Sequence, residues 1–515
     1  MIVFCTAKVK DNTMPLKLPD LPKIQIKQDT RLPDESPEQQ FDAMILIIDG
    51  AEETAGIQTR QPAWLGGIEA DCFQQHPESS NPAVGSRGGC RIARLRVDKG
   101  LNAFQALSLA RKTLELLLSD RPRKLAVIDL AADIHQGERM TEAIIAGLYA
   151  ALYQPPRSGR TTLEALSVES LDLFGPHRAP DISRAEATAE GNQLARWLTQ
   201  LPGNHLSPGQ YRELAESLAR QEGWDSHFYD EQELDRLGAG AFLSVTAASP
   251  NRDAGILRLS YRPAGGTSAP LALVGKGICF DTGGTNLKNA SGMYGMHGDM
   301  QGSAVALGTL LALSRLKFPH AVDCWLALAE NHIGSRATRP NDVVTALDGT
   351  TIEIVNTDAE GRMVLADTLA LASRQQPRAI LDYATPTGSC VAALGQRMSG
   401  AMSNRRDWVE ALIRAGERSG ERVWPLPWEA DYDEDLESSV ADVIQCRPPA
   451  EADHLYAARF LGRFVAEDIG WVHIDLSAGK REGGLAHVPG DVTGFGVRFG
   501  VEWLSFLDNS LIGEK

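Results

Sequence analysis

Lys276, Asp281, Lys288 and Asp299 lie in the stretch VGKGICFDTGGTNLKNASGMYGMHGDM, and Asp358, Glu360 and Arg362 lie in VNTDAEGR. Each stretch follows an apolar run and reads as a loop. Four carboxylates, two lysines and an arginine beside buried segments need a partner of opposite sign, because an unpaired buried charge is costly. Asp281, Asp299, Asp358 and Glu360 carry four negative charges, which two divalent cations would match. Hard divalent metals prefer carboxylate oxygens, and zinc also accepts nitrogen. Asp358 and Glu360 stand two apart, so on an extended segment they point the same way. Gly275, Gly277, Gly283 and Gly284 permit turns that would wrap Lys276 and Asp281 around a compact centre. An acidic surface loop accounts for any one of these carboxylates; it does not account for the set. The chemistry implied is hydrolysis at a two-metal centre.

The elements that must position these residues read as alternating strands and helices. Near the N-terminus, Met44–Ile48 and Lys124–Leu130 read as buried strands, and Asn102–Leu118 and Met140–Tyr153 as helices. Residues 10–40 are polar and proline-rich, an irregular arm or extended edge. Ser183 and Glu186 have capping-box spacing, which predicts a helix running to about Leu201, where Pro202-Gly203 stops it. Beyond it come strands at Leu271–Val274, Ala321–Ala329, Thr351–Val355, Ala379–Tyr383 and Trp471–Leu476, with helices at Ser303–Leu316 and Met363–Ser373. The predicted fold is α/β with two domains, the C-terminal one a largely parallel mixed sheet covered by helices on both faces. The expected boundaries are 1–180 for an N-terminal α/β domain, 181–201 for a connector helix, and 202–515 for the catalytic domain. Both charged stretches follow strands, where open α/β sheets gather ligands.

Bulk composition narrows the function classes. The chain has 515 residues, 43% hydrophobic and 23% charged, which is ordinary globular composition for more than one domain. The net charge of −16 argues against unassisted nucleic-acid binding, which needs a basic face. No apolar run approaches the length of a membrane span. MIVFCTAKVKDN does not read as a secretory signal, and seven scattered cysteines without a CxxC pair fit a reducing, cytoplasmic setting. No HExxH, GxSxG or P-loop occurs.

NTDAEGR at Asn356–Arg362, with VGKG, FDTGG, the lysine seven residues after Asp281 and GDM upstream, resembles the leucyl (cytosol) aminopeptidase family of dinuclear metallopeptidases. LPGNHLSP, RPNDVVTALDG, RMVLADTLALA, ATPTGS, WVHIDLS and TGFGVR agree with it, so the resemblance spans about residues 190–505. It implies that Asp281 and Glu360 bridge two metals, that Lys276 and Asp299 complete one site, and that Asp358 completes the other. It implies that Lys288 is an electrophilic lysine, that Arg362 holds a bicarbonate anion, and that Met296, Thr385, Pro386 and Gly388 contact substrate. The charges then close to neutrality if Lys276 is a neutral amine, a deprotonation that metal ligation demands. The resemblance further implies manganese or zinc, with magnesium a further candidate, peptide substrates with apolar N-terminal residues, and a homohexamer built as a dimer of trimers.

Three departures from the family pattern stand near the site. Pro386 replaces an aliphatic residue but keeps its carbonyl, His297 takes a position where other polar residues are common, and Gln301 replaces a frequent glycine. His297 reads as a pocket-rim residue. Rival functions are DNA binding, known in some bacterial members, a silent scaffold, and a dinuclear hydrolase with another substrate. The C-terminal run TGFGVRFGVEWLSFL either supports assembly through exposed apolar residues or packs into its own domain.

Overall fold

The computed structural model describes residues 18–50, 62–74, 80–157, 159, 165–175, 181–265, 269–385, 387–448 and 451–512. An eight-stranded sheet carries the charged stretches. Its order is Val423–Pro425, Ser399–Ser403, Gly470–Asp475, Ala379–Ala384, Leu271–Asp281, Val322–Asn331, Gly255–Tyr261 and Asp225–Asp230. Its four central strands, from Gly470–Asp475 to Val322–Asn331, run parallel. Ser399–Ser403 and Gly255–Tyr261 pair antiparallel on either side of them, so the sheet is mixed, as predicted.

The strands alternate between two hydrophobic cores with a period of two. Leu271, Leu273, Leu326 and Leu328 face one core, and Ala272, Val274, Trp325 and Ala327 face the other. Both faces are therefore buried under helices. Pro208–Glu222, Gln301–Arg315 and Val497–Ile512 cover the first, and Gly240–Thr246, Glu360–Ser373 and Asp453–Gly462 cover the second. Each fully buried leucine contributes roughly 1.5–3 kcal/mol relative to exposure.

A second sheet of six strands lies N-terminal, in the order Gln25–Asp29, Ser170–Phe174, Lys124–Asp129, Ala43–Asp49, Cys90–Val97, Ala83–Arg87. The polar arm thus contributes an edge strand, Gln25–Asp29, which pairs parallel with Ser170–Phe174. Asn102 starts the Ala103–Leu118 helix with a complete capping box to Gln105. The next helix begins at Ile134, six residues before the predicted Met140, because Asp133 accepts from the His135 and Gln136 amides.

The helix expected to start at Ser183 spans Ile182–Gln200, and Asp181, not Ser183, caps it. Glu186 is not part of a box; it accepts from the Tyr149 hydroxyl at 2.8 Å. This helix lies against Gln301–Arg315 with Gly191 facing Gly308. A methyl group at Gly191 would sit 2.2 Å from the Gly308 carbonyl oxygen, so the backbones touch only because neither residue has a Cβ.

Two further expectations change. Thr351–Glu353 is not in the large sheet but in a separate three-stranded sheet with Val343–Thr345 and Val443–Ile444. The C-terminal run forms the Val497–Ile512 helix, whose Val497, Phe499, Val501, Trp503, Leu504 and Leu507 are buried in its own core. It therefore lends no support to assembly through exposed apolar residues. Cys72, Cys90, Cys279, Cys324, Cys390 and Cys446 are free and buried, and Cys5 lies outside the described residues.

Candidate active site

The carboxyl ends of the parallel strands converge on one cleft of about 550 Å³. Lys276 is inside the Leu271–Asp281 strand rather than in a loop, and Asp281 is that strand's last residue. Asp299 follows the short turn Met296–Gly298 and precedes the Gln301–Arg315 helix. Glu360 opens the Glu360–Ser373 helix and Asp358 sits in the turn before it, so the two are not on an extended segment as expected. They reach the same cleft all the same. Asp281, Asp358 and Glu360 each bring an oxygen within 4.8 Å of the others.

Both lysines thread the carboxylates. Lys276 Nζ lies 2.8 Å from Asp299 Oδ2 and 2.9 Å from Glu360 Oε1. Lys288 Nζ lies 2.8 Å from Asp281 Oδ2 and 2.5 Å from Asp358 Oδ1. Burial alone would pull Lys276 down, but Asp299, Glu360 and Asp281 outweigh it and hold it above the ordinary lysine value. Lys288 is raised in the same way by Asp281 and Asp358 against its own burial. Burial pushes the Glu360 carboxyl up to about 8, with the Asp281 and Asp299 charges adding to it and Lys276 opposing. Asp299 and Asp358 are also raised, chiefly by burial.

Two ammonium groups do not neutralise four carboxylates, and the geometry shows the deficit. Glu360 Oε2 is buried with no hydrogen-bond partner among the described residues, and Asp299 Oδ2 and Asp358 Oδ1 have only their lysine contacts. Four carboxylates with an orphaned oxygen among them fit divalent cations. These carboxylates favour the ammonium form of Lys276, and ligation of a metal would require it to lose a proton.

A dense polar frame orients the set. Asn331 Nδ2 donates to Asp281 Oδ1 at 2.9 Å and to the Thr357 carbonyl at 3.0 Å. The Gly283 amide donates to the same Asp281 oxygen at 2.9 Å. Thr357 Oγ1 donates to the Gly283 carbonyl at 2.7 Å, tying the two charged stretches together. Thr385 Oγ1 donates to Asp299 Oδ1 at 2.5 Å, so this expected substrate contact also holds a carboxylate. Sequence reasoning missed Asn331 and Thr357. The signal for Asn331 was its place at the end of the strand beside Asp281, paired in register with it.

Met296, His297, Thr385 and Gly388 line the cleft, as does the exposed Tyr294. Burial lowers the half-buried His297, with Lys480 adding to the effect, which suits a rim position. Pro386 lies outside the described residues. His473 also lines the cleft, and its Nδ1 is 2.6 Å from Asp382 Oδ1, whose other oxygen accepts from Trp471 Nε1.

Arg362 lines the cleft and has partners within the chain. Nη2 lies 2.7 Å from each oxygen of Asp453, and Nη1 donates to the Gln445 carbonyl at 3.1 Å. The bicarbonate that the resemblance places on this guanidinium would meet that carboxylate there. The sequence pattern offered no sign of Asp453.

An α/β sheet that gathers carboxylates and lysines at its strand ends could hold a metal ion there. The catalytic-domain model of the cytosol aminopeptidase family matches residues 193–501, and the chain belongs to that family. It is 38% identical over 386 residues to a probable cytosol aminopeptidase of Rippkaea orientalis, covering 74% of this chain and 78% of that protein. The fold matches a tomato leucine aminopeptidase mutant with TM-score 0.82 at 28% identity, over 96% of this chain and 98% of that one. It also matches the bottromycin maturation enzyme BotP in complex with Mn, with TM-score 0.77 at 28% identity, over 90% of this chain and 99% of that one. The protein is an enzyme of the metal-dependent aminopeptidase class.

Proposed function

We propose that this enzyme removes apolar, leucine-like N-terminal residues from peptides at a two-metal centre held by Lys276, Asp281, Asp299, Asp358 and Glu360. The observation that carries the reading is the orphaned, buried Glu360 Oε2 beside the converging Asp281 and Asp358 oxygens. Asp281, Asp358 and Glu360, whose oxygens converge, would hold the ions together with Lys276 and Asp299. Two divalent ions bound there supply Lewis acidity and a water activated near neutral pH. Manganese, named for BotP, and zinc are the favoured occupants, with magnesium a further candidate.

The chain's own groups do the rest. Lys288 stands beside Asp281 and Asp358 with its ammonium able to donate to the oxyanion as the carbonyl is attacked. Met296, Thr385, Pro386 and Gly388 would take the first side chain and the substrate backbone. Asn331 and Thr357 keep the carboxylates fixed, which limits reorganisation as charge develops.

A leucine anilide and its N-acetylated version, each assayed with Mn²⁺, Zn²⁺ or Mg²⁺, test the reading. Metal-dependent turnover of the free-amine substrate alone is expected. Equal turnover of the acetylated substrate would point to a different dinuclear hydrolase. No observation favours the DNA-binding alternative, and the charge of −16 opposes it. Assembly as a homohexamer in the cytoplasm belongs to the same proposal, on the strength of the resemblance. Light scattering that gives one chain's 55.7 kDa would remove the hexamer. No helix among the described residues is long and apolar enough to cross a membrane.

A further inference from the structure

Arg362 is buried on the first turn of the Glu360–Ser373 helix, and the chain itself fills its fork. Asp453 supplies both oxygens to Nη2 at 2.7 Å. Charge-assisted contacts of this kind are among the stronger protein hydrogen bonds. Asp453 is also the first residue of the Asp453–Gly462 helix, where negative charge sits favourably against the helix dipole. Both residues line the cleft together with Lys288, Asp358 and Glu360. An external anion could reach Nη2 only by displacing a carboxylate tethered beside it. A tethered group has a large advantage in effective concentration over a dissolved one.

We propose that Asp453 is the resident anion of this active site: it occupies the Arg362 seat, excludes bicarbonate, and relays the reaction's proton. The relay balances simply. As the water oxygen bonds to the peptide carbonyl carbon, one of its O–H bonds breaks and that proton passes to an Asp453 carboxylate oxygen. As the C–N bond breaks, the electron pair stays on nitrogen and the same proton passes to it. Asp453 ends as it began, a carboxylate, and nothing is oxidised or reduced. The charge that bicarbonate would bring to Arg362 is thus built into the chain.

This inference rests on the aminopeptidase reading, and the test separates the two. Full-length wild type, Asp453→Asn and Asp453→Ala are loaded with Mn²⁺ and matched for metal content and circular dichroism. Each is assayed on a leucine anilide in bicarbonate-free buffer and with bicarbonate added. Binding of bicarbonate is measured separately by calorimetry, without substrate. Wild-type kcat is expected to be indifferent to bicarbonate, with no calorimetric binding. Asp453→Asn still fills the seat and should lose kcat by about a hundredfold or more, with KM little changed and no rescue. Asp453→Ala should lose as much, then recover saturably as bicarbonate binds the vacated guanidinium. Saturable bicarbonate binding to wild type overturns the proposal, as does wild-type kcat in Asp453→Asn. If Asp453→Ala does not fold, the wild-type calorimetry and the Asn variant still decide. A wild type that neither turns over the anilide nor binds bicarbonate refutes the peptidase reading and with it the relay, while the filled seat stands.

Discussion

Gly361 touches Lys276: a methyl group on Gly361 would lie 2.5 Å from Lys276 Cε and 2.7 Å from its Nζ. Helix propensity favours alanine over glycine by up to about 1 kcal/mol, so Gly361→Ala would suit the helix it sits in. The clash opposes that gain, because the lysine can move aside only by leaving the two carboxylates that hold its ammonium. Gly361→Ala should therefore fold, lose metal, and lose turnover on the order of a hundredfold. Metal analysis after gel filtration, alongside kcat, checks it. Full metal content and full activity would show that Lys276 has free room.

Glu360→Gln should nearly abolish turnover. The substitution keeps the shape but removes one charge from the centre and gives the orphaned position a neutral amide. Metal content measured after gel filtration should fall with it. A variant with wild-type rate and metal content would remove Glu360 from the site.

Lys288→Ala should behave differently. Lys288 is assigned to the oxyanion and not to the metals, so both ions should stay while kcat falls by about a hundredfold to a thousandfold. Collapse of the metal stoichiometry would mean that Lys288 has been given the wrong role.

Asp367 offers a test of stability away from the chemistry. It is fully buried and accepts from the Phe242 amide at 2.7 Å and the Leu347 amide at 2.8 Å. Burial pushes its carboxyl up to about 7, against the pull of those amides. A carboxyl raised on folding gives stability that is present below its unfolded value, near 4, and lost as pH rises through about 7. Asp367→Asn cannot titrate, and it leaves one amide facing an NH₂ group at a cost of about 1–3 kcal/mol. The stability gap between wild type and variant should thus narrow from pH 5 to pH 8. Urea unfolding across that range measures it; a gap that widens with pH contradicts the reading.

The ease of reading differed sharply between parts of the molecule. Strands such as Ala379–Ala384 and helices such as Ala103–Leu118 show in the sequence because their apolar periods are local and their caps lie within a turn. Cap competition was harder to read. Asp181 and Ser183 are both competent, and the choice of Asp181 goes with Glu186 being engaged by Tyr149 on a neighbouring helix. The short Thr351–Glu353 strand was legible as a strand but not as part of a different sheet, since its partner Val443–Ile444 is remote in sequence.

The sequence alone determined the kind of centre this is: the carboxylates, lysines and arginine, their spacing, and the strand ends that carry them. Those are properties of residue type and local backbone. Only the tertiary structure decided which charge answers which. Asn331 reaches Asp281 across 50 residues and Asp453 reaches Arg362 across 91. Buried charges must be paired wherever packing brings a partner, and packing follows the fold rather than the spacing along the chain.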